Sequence, residues 1–169
     1  MNPRWSEELI AQLGAEDGLT RERARETLVA IGEPALASLV ELLGSSEALL
    51  RWEAAKALTE IPEPAAIPGL VSLLADRRSE IGWLAAVALT NLGNRSVPHL
   101  LHALTERAES KRFLQGSHHT LHDLAQRNTV MRDILKPVLD VLGDLSPDAG
   151  VISSRAEAAL HELRALSGS

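Results

Sequence analysis

The sequence predicts an all-α protein, an α-α superhelix or α-solenoid of about four to five helical hairpins. Two observations carry that prediction. The first is internal repetition. Leu50-Arg51-Trp52-Glu53-Ala54-Ala55-Lys56-Ala57-Leu58 recurs as Ile81-Gly82-Trp83-Leu84-Ala85-Ala86-Val87-Ala88-Leu89, 31 positions later. Ala66-Ile67-Pro68-Gly69-Leu70-Val71 recurs as Ser96-Val97-Pro98-His99-Leu100-Leu101, 30 positions later. A fixed period of this length marks an array of small units, none of which can bury its apolar face alone. The second is composition. Hydrophobic residues make up 45% of the chain and aromatics only 2%, so the core must be Leu, Ala, Ile and Val, which pack thin helix layers.

The chain reads as one domain over 1–169, with two helices, A then B, in each repeat. Residues 5–13 form a lone B-type cap helix with Leu9, Ile10 and Leu13 on one face. The first repeat, about 20–43, has helix A from Arg21 to Ile31 with Ala24, Leu28 and Ile31 buried. Gly32-Glu33-Pro34 then turns the chain, because glycine can take a left-handed cap and proline can begin a helix. In the second repeat, about 47–74, Ala54, Ala55, Leu58 and Ile61 share one face of helix A. Pro62-Glu63-Pro64 ends that helix, since proline disfavours helical geometry in the residue before it. Ile67, Leu70, Val71 and Leu74 form the stripe of helix B. The third repeat, about 79–104, copies the second. The fourth, about 110–142, is longer and less regular, with Phe113, Leu114, Leu121 and Leu124 ahead of a helix B over 130–142. Pro137 is expected to kink that helix or to mark its true start. Residues 143–150 read as a loop, and 154–166 as a final helix. Its predicted N-terminus is the capping-box spacing Ser154-Arg155-Ala156-Glu157, and its apolar face is Ala156, Ala159, Leu160 and Leu163.

There is no cysteine, which excludes disulfides and thiolate metal sites. A net charge of −6 argues against a nucleic-acid partner, which needs excess Lys and Arg to displace counterions. No apolar run approaches the roughly 20 residues that span a bilayer, and the first residues lack the apolar stretch of a signal peptide. No membrane partner is expected, and a cytoplasmic location follows by default.

Leu50-Arg51 followed by Glu53-Ala54-Ala55-Lys56-Ala57-Leu58, then Pro64-Ala65-Ala66-Ile67-Pro68-Gly69-Leu70-Val71-Ser72-Leu73-Leu74, resembles the HEAT repeats of the phycobilisome-lyase type. The resemblance is strong in the second and third repeats, fair in the first and weak from Thr105 onward. A hydrophobic-Arg pair with an acid four residues earlier is typical of that family. Glu47 and Arg51 match it, as do Asp17 and Arg21, whereas the third repeat has Gly82 where arginine is expected. The resemblance implies a solenoid with A helices outside and B helices lining a concave face. Such a layout specifies fold better than function.

Four constellations bear on function. Trp52 and Trp83 occupy equivalent positions, six residues before Leu58 and Leu89. That is about 120° around the helix from each leucine, at the edge of the buried stripe. Either each ring packs between neighbouring helices, or the two form an exposed aromatic hot spot. His118 and His122, at i and i+4, could chelate one ion, but a polar, partly exposed helix explains them without a metal. His118 aligns with Ala55 near the core, and His119 with exposed Lys56. On the B helices, Ser38, Glu41, Gly69, Ser72, His99, His102 and Asp140 are expected to face the groove. That set is small or acidic and contains no arginine, which disfavours a likeness to HEAT-like DNA glycosylases. Leu49-Leu50-Arg51-Trp52-Glu53 looks like the iron-binding motif of deoxyhypusine hydroxylase with Trp in the histidine position, so that activity is not implied. Charged neighbours such as Arg21 with Arg25, or Glu22 with Glu26, read as solvated faces.

No nucleophile-and-base set and no phosphate-binding loop stands out, so neither catalytic residues nor a cofactor is predicted. The reading is a non-enzymatic interaction scaffold that binds a protein or peptide through Ser38, Glu41, Ser72, His99 and His102, with Trp52 and Trp83. The family resemblance implies an alternative, a phycobilin lyase-like subunit acting on a tetrapyrrole and its carrier protein. A regulatory domain of a longer chain is a third possibility.

Overall fold

A computed structural model describes residues 4–108 and 110–167, with side chains for 7–108 and 110–166. The ring of Trp5 therefore lies outside the described residues. Among these residues there is no strand, and the α-helices are α1 (Arg4–Leu13), α2 (Gly18–Ile31), α3 (Glu33–Leu42), α4 (Ala48–Leu58), α5 (Ile67–Leu73), α6 (Ser79–Leu92), α7 (Val97–Glu106), α8 (Lys111–Arg127), α9 (Thr129–Leu142) and α10 (Ala149–Ser167). Short 3-10 turns at 64–66 and 93–96 lead into α5 and α7.

The A helices form one layer in which α2 packs on α4, α4 on α6 and α6 on α8. The B helices form the second layer. Helix α3 meets the turn before α5, and α5 packs on α7. Between the layers lie fully buried Leu28, Leu39, Leu58, Leu70, Leu89 and Leu100, with Phe113 as the one large ring. Burying each leucine contributes roughly 1.5–3 kcal/mol, so this leucine seam, renewed in every repeat, dominates the favourable side of folding. The predicted stripes Ala54, Ala55, Leu58, Ile61 and Ile67, Leu70, Val71, Leu74 are all buried.

Local chemistry sets the helix ends. Asp17 accepts from the backbone N–H groups of Leu19 and Thr20, so α2 begins at Gly18, three residues before the expected start. The Thr20 hydroxyl and these N–H donors hold the Asp17 carboxyl below its ordinary range. Gly32 and Gly93 take φ of +70° and +68°, left-handed values that close α2 and α6. Pro34 then sits in the first turn of α3, where its missing N–H has no intrahelical partner to lose.

The C-terminal third departs from expectation in two respects. Helix α9 runs through Pro137 without a break, so Pro137 does not mark its start. The last helix begins at Ala149, and the backbone N–H of Val151 donates to the Asp148 side chain. Asp148 thus does the work expected of Ser154, which lies inside the helix. The longer α10 packs against both α7 and α9, which scarcely touch each other. It buries Ile152, Ala156 and Ala159, while Leu160 and Leu163 are partly buried against the core. In space, α10 occupies the B-layer place beside α7 that a simple stack would give to α9.

Candidate binding surfaces

The B-helix face presents Glu41 from α3, Ser72 from α5, and His99 and His102 from α7, all exposed. Gly69 is half-buried and Asp140 exposed. Ser38 is only 3% exposed, because it faces inward with Ala35 and Leu39 on α3, contrary to the expectation that it lines the groove. The polar groups on this face are loosely tethered. Arg107 donates to the Ser72 hydroxyl at 3.4 Å, and His102 lies 3.6 Å from Glu106.

The A-helix side carries a ladder of charge pairs. Glu53 is 2% exposed yet ionisable. It accepts from Arg25 Nη1 at 2.6 Å and from Arg21 Nε at 3.2 Å, tying α2 to α4. Arg21 and Arg25 are therefore not a solvated pair; they converge on one buried carboxylate, which would be costly to bury alone. One repeat on, Arg51 makes a two-pronged contact with Asp76, Nε to Oδ2 at 2.7 Å and Nη2 to Oδ1 at 3.3 Å. Both arginines also donate to the loop before their own helix, Arg21 to the carbonyls of Ala15 and Glu16, and Arg51 to those of Ser45 and Ser46. Burial alone would raise the Asp76 carboxyl, but the Arg51 guanidinium and the Arg78 N–H overcome it and hold it below its ordinary range.

The two tryptophans share a position and differ in surroundings. Trp52 is half-buried, with the Arg25 guanidinium carbon and Lys56 Nζ each 5.8 Å from its ring. Trp83 is 59% exposed. One ring is thus packed and the other exposed, so the two do not form an exposed pair. Trp83 borders a cleft of about 220 Å³ between α6 and α8 that also involves Arg112, Gln115, Gly116 and His119.

The histidines of α8 divide by face. His118 is half-buried, and burial lowers its pKa from the ordinary 6.5, helped by the charges of His122 and His119. Its ring stacks on that of His122 with centroids 6.1 Å apart and planes at 25°. His119 and His122 are exposed and lie 3.7 Å from Asp123. Among the described residues, no group of three or more His, Asp or Glu side chains is placed to hold a metal ion, and no helix is long and apolar enough to cross a membrane.

The family model of HEAT repeats matches residues 36–115, from α3 into α8. That stretch, just under half of the chain, is similar to HEAT repeats. The fold of the whole chain is similar to that of a chain from the complex of CpcE and CpcF of phycocyanin lyase from Nostoc sp., with a TM-score of 0.61 and 20% identity over 91% of this chain and 96% of that one. An engineered protein aligns with a TM-score of 0.43 and 21% identity over 91% of this chain and 77% of its own. No curated protein matches it in sequence. The HEAT match ends at residue 115, inside α8, where the fourth unit begins to diverge. Sequence reading missed two features of the A-helix side, buried Glu53 and the Arg112 rim. The signal for Glu53 was present in Arg21 and Arg25, spaced i and i+4 on one face of the preceding A helix.

Proposed function

We propose that this chain is a non-enzymatic scaffold that holds a protein or peptide on its B-helix face at Glu41, Ser72, His99 and His102. The observation that supports this reading is the run of exposed polar side chains on successive B helices, α3, α5 and α7, mounted on a buried leucine seam. A surface fixed in this way binds without first paying to become ordered. The chain's net charge of −6 favours a neutral or basic partner over nucleic acid. The test is affinity capture from the native organism with the wild type and with Glu41→Arg/His102→Asp. Loss of the captured partner with the fold intact supports the placement, and undiminished capture overturns it.

The likeness to the phycocyanin lyase complex motivates a second reading, a phycobilin lyase-like subunit. Under it, adding a phycobilin together with its carrier protein produces an absorbance shift that depends on this chain. If no shift occurs with or without a second subunit, that reading fails.

A further inference from the structure

The junctions between successive A helices are chemically unequal. The first is tied by Arg21 and Arg25 on Glu53, and the second by Arg51 on Asp76. At the third, Gly82 stands where Arg21 and Arg51 stand in the earlier repeats. No arginine reaches forward from α6 to a carboxylate; Arg127 reaches back from α8 to the Thr90 carbonyl at 3.0 Å. A cleft lies between α6 and α8 beside Trp83, as one lies between α4 and α6 beside Trp52. Gly116 lets α8 come close on one side of the α6–α8 cleft, since a Cβ there would meet the Leu74 side chain at 3.0 Å.

The same substitutions uncover Trp83. Trp52 is flanked by Lys56, four residues on in its own helix, and by Arg25 from the preceding repeat. At the equivalent places around Trp83 the sequence has Val87 and Ala55, and neither carries a charge. One ring is thus covered by cations from its own chain, while the other is left exposed beside an arginine.

That arginine is Arg112, in the first turn of α8, where the helix N-terminus adds positive potential. Arg112 is exposed, and among the described residues no carboxylate pairs with it. Asp76, the acid bordering the cleft, is already engaged by Arg51 and by the Arg78 N–H. His119 lies 3.7 Å from Asp123, further along α8. The unmatched charge at the cleft is therefore positive. The two earlier junctions are each tied by arginine on a carboxylate, whereas among the described residues Arg112 has no such partner at this cleft.

We propose that the α6–α8 cleft is a docking site for an acidic linear segment of a partner protein. Arg112 pairs with its carboxylate, and Trp83 packs on a neighbouring apolar side chain. Trp and Arg are the residue types that most often dominate binding at interfaces, and guanidinium–carboxylate pairing is directional. The acidic character of the whole chain is screened beyond about 8 Å at physiological ionic strength, so the local positive charge governs contact. This site is separate from the B-helix face proposed above.

The experiment is selection of a phage-displayed random dodecapeptide library on the full chain, followed by fluorescence titration of a selected peptide. The expected result is enrichment of peptides with aspartate or glutamate next to a large apolar residue. Binding should fall at least tenfold in Arg112→Glu and in Trp83→Ala, and recover in Arg112→Glu when the peptide's acid is exchanged for lysine. Glu41→Arg/His102→Asp should leave it unchanged, so failure here and failure of the B-face reading are distinguishable. The proposal is overturned if selected peptides show no acidic enrichment, if binding ignores both cleft substitutions, or if the cleft residues instead govern binding to phosphatidylserine vesicles.

Discussion

Between α2 and α4 a carboxylate is buried beneath two arginines; between α6 and α8 an arginine stands at the rim of a cleft with no carboxylate to meet. Both junctions join equivalent helices of neighbouring repeats and share the same apolar seam. They differ because a few positions outside the seam differ. Gly82 in place of arginine leaves α6 without the forward charge pair of the earlier repeats, and Val87 in place of Lys56 leaves Trp83 without a cation on its own helix. In a repeat array the apolar residues fix where helices go, and the residues beside them decide which charges tie each junction.

The largest expected effect comes from unsealing the first junction. Arg21→Ala with Arg25→Ala strands Glu53 without a counter-charge and should cost about 3–5 kcal/mol in urea unfolding. A loss well under 1 kcal/mol would show that water reaches the carboxylate and that the junction is not sealed by charge. The tryptophans come next. Trp52→Ala removes a half-buried ring and its two cation contacts and should cost about 2 kcal/mol. Trp83→Ala should stay within about 0.5 kcal/mol, as for an exposed site. Equal costs would erase the distinction between the two positions.

Gly82→Ala should stabilise the chain by about 0.5–1 kcal/mol, from the poor helix propensity of glycine. A Cβ there meets the carbonyl oxygens of Leu74 and Leu73 at 3.4 and 3.6 Å, ordinary van der Waals contact, so the methyl fits. If thermal melting shows destabilisation instead, the end of α5 lies too close to α6 for a methyl.

The smallest effect concerns pH. The folded chain resists protonating His118, whose pKa lies below its ordinary 6.5, while the unfolded chain does not. Stability should therefore decline as pH falls below about 6.5, and this contribution should level off once pH passes the lower folded value. His122 stacks on His118 and His119 adjoins it on α8, while Lys136 and Asp140 on neighbouring α9 pair with each other at 2.7 Å. In His118→Gln the fall in Tm between pH 7.5 and pH 5.5 should be shallower than in the wild type.

The hairpins, their apolar stripes and the Gly32 turn were legible because each depends on residues close in sequence. The register of Trp52 with Trp83 was legible too, but their different fates were not. Those depend on which side chains stand around each ring, although Lys56 against Val87 and Arg25 against Ala55 were visible as differences. Arg21 and Arg25 were misread as solvated because their partner lies 28 to 32 residues away, on the next A helix. Ser38 was misplaced because a rotation of one position on α3 separates the groove from the core. The start of α10 was misread because two caps compete there, Asp148 and Ser154, and local spacing cannot rank them. Its place between α7 and α9 is a matter of long-range packing, on which helical periodicity is silent.

That place has a consequence for how the molecule opens. In a plain stack each unit touches only its neighbours, so the array can unzip one hairpin at a time. Here a helix late in the chain is wedged beside α7, and α9 is held largely through it and α8. Detaching the fourth unit therefore also strips a covering from the third. The backbone amides of α7, α9 and α10 should lose their protection against solvent exchange together, as one cooperative block, while α1 to α3 remain free to open on their own schedule.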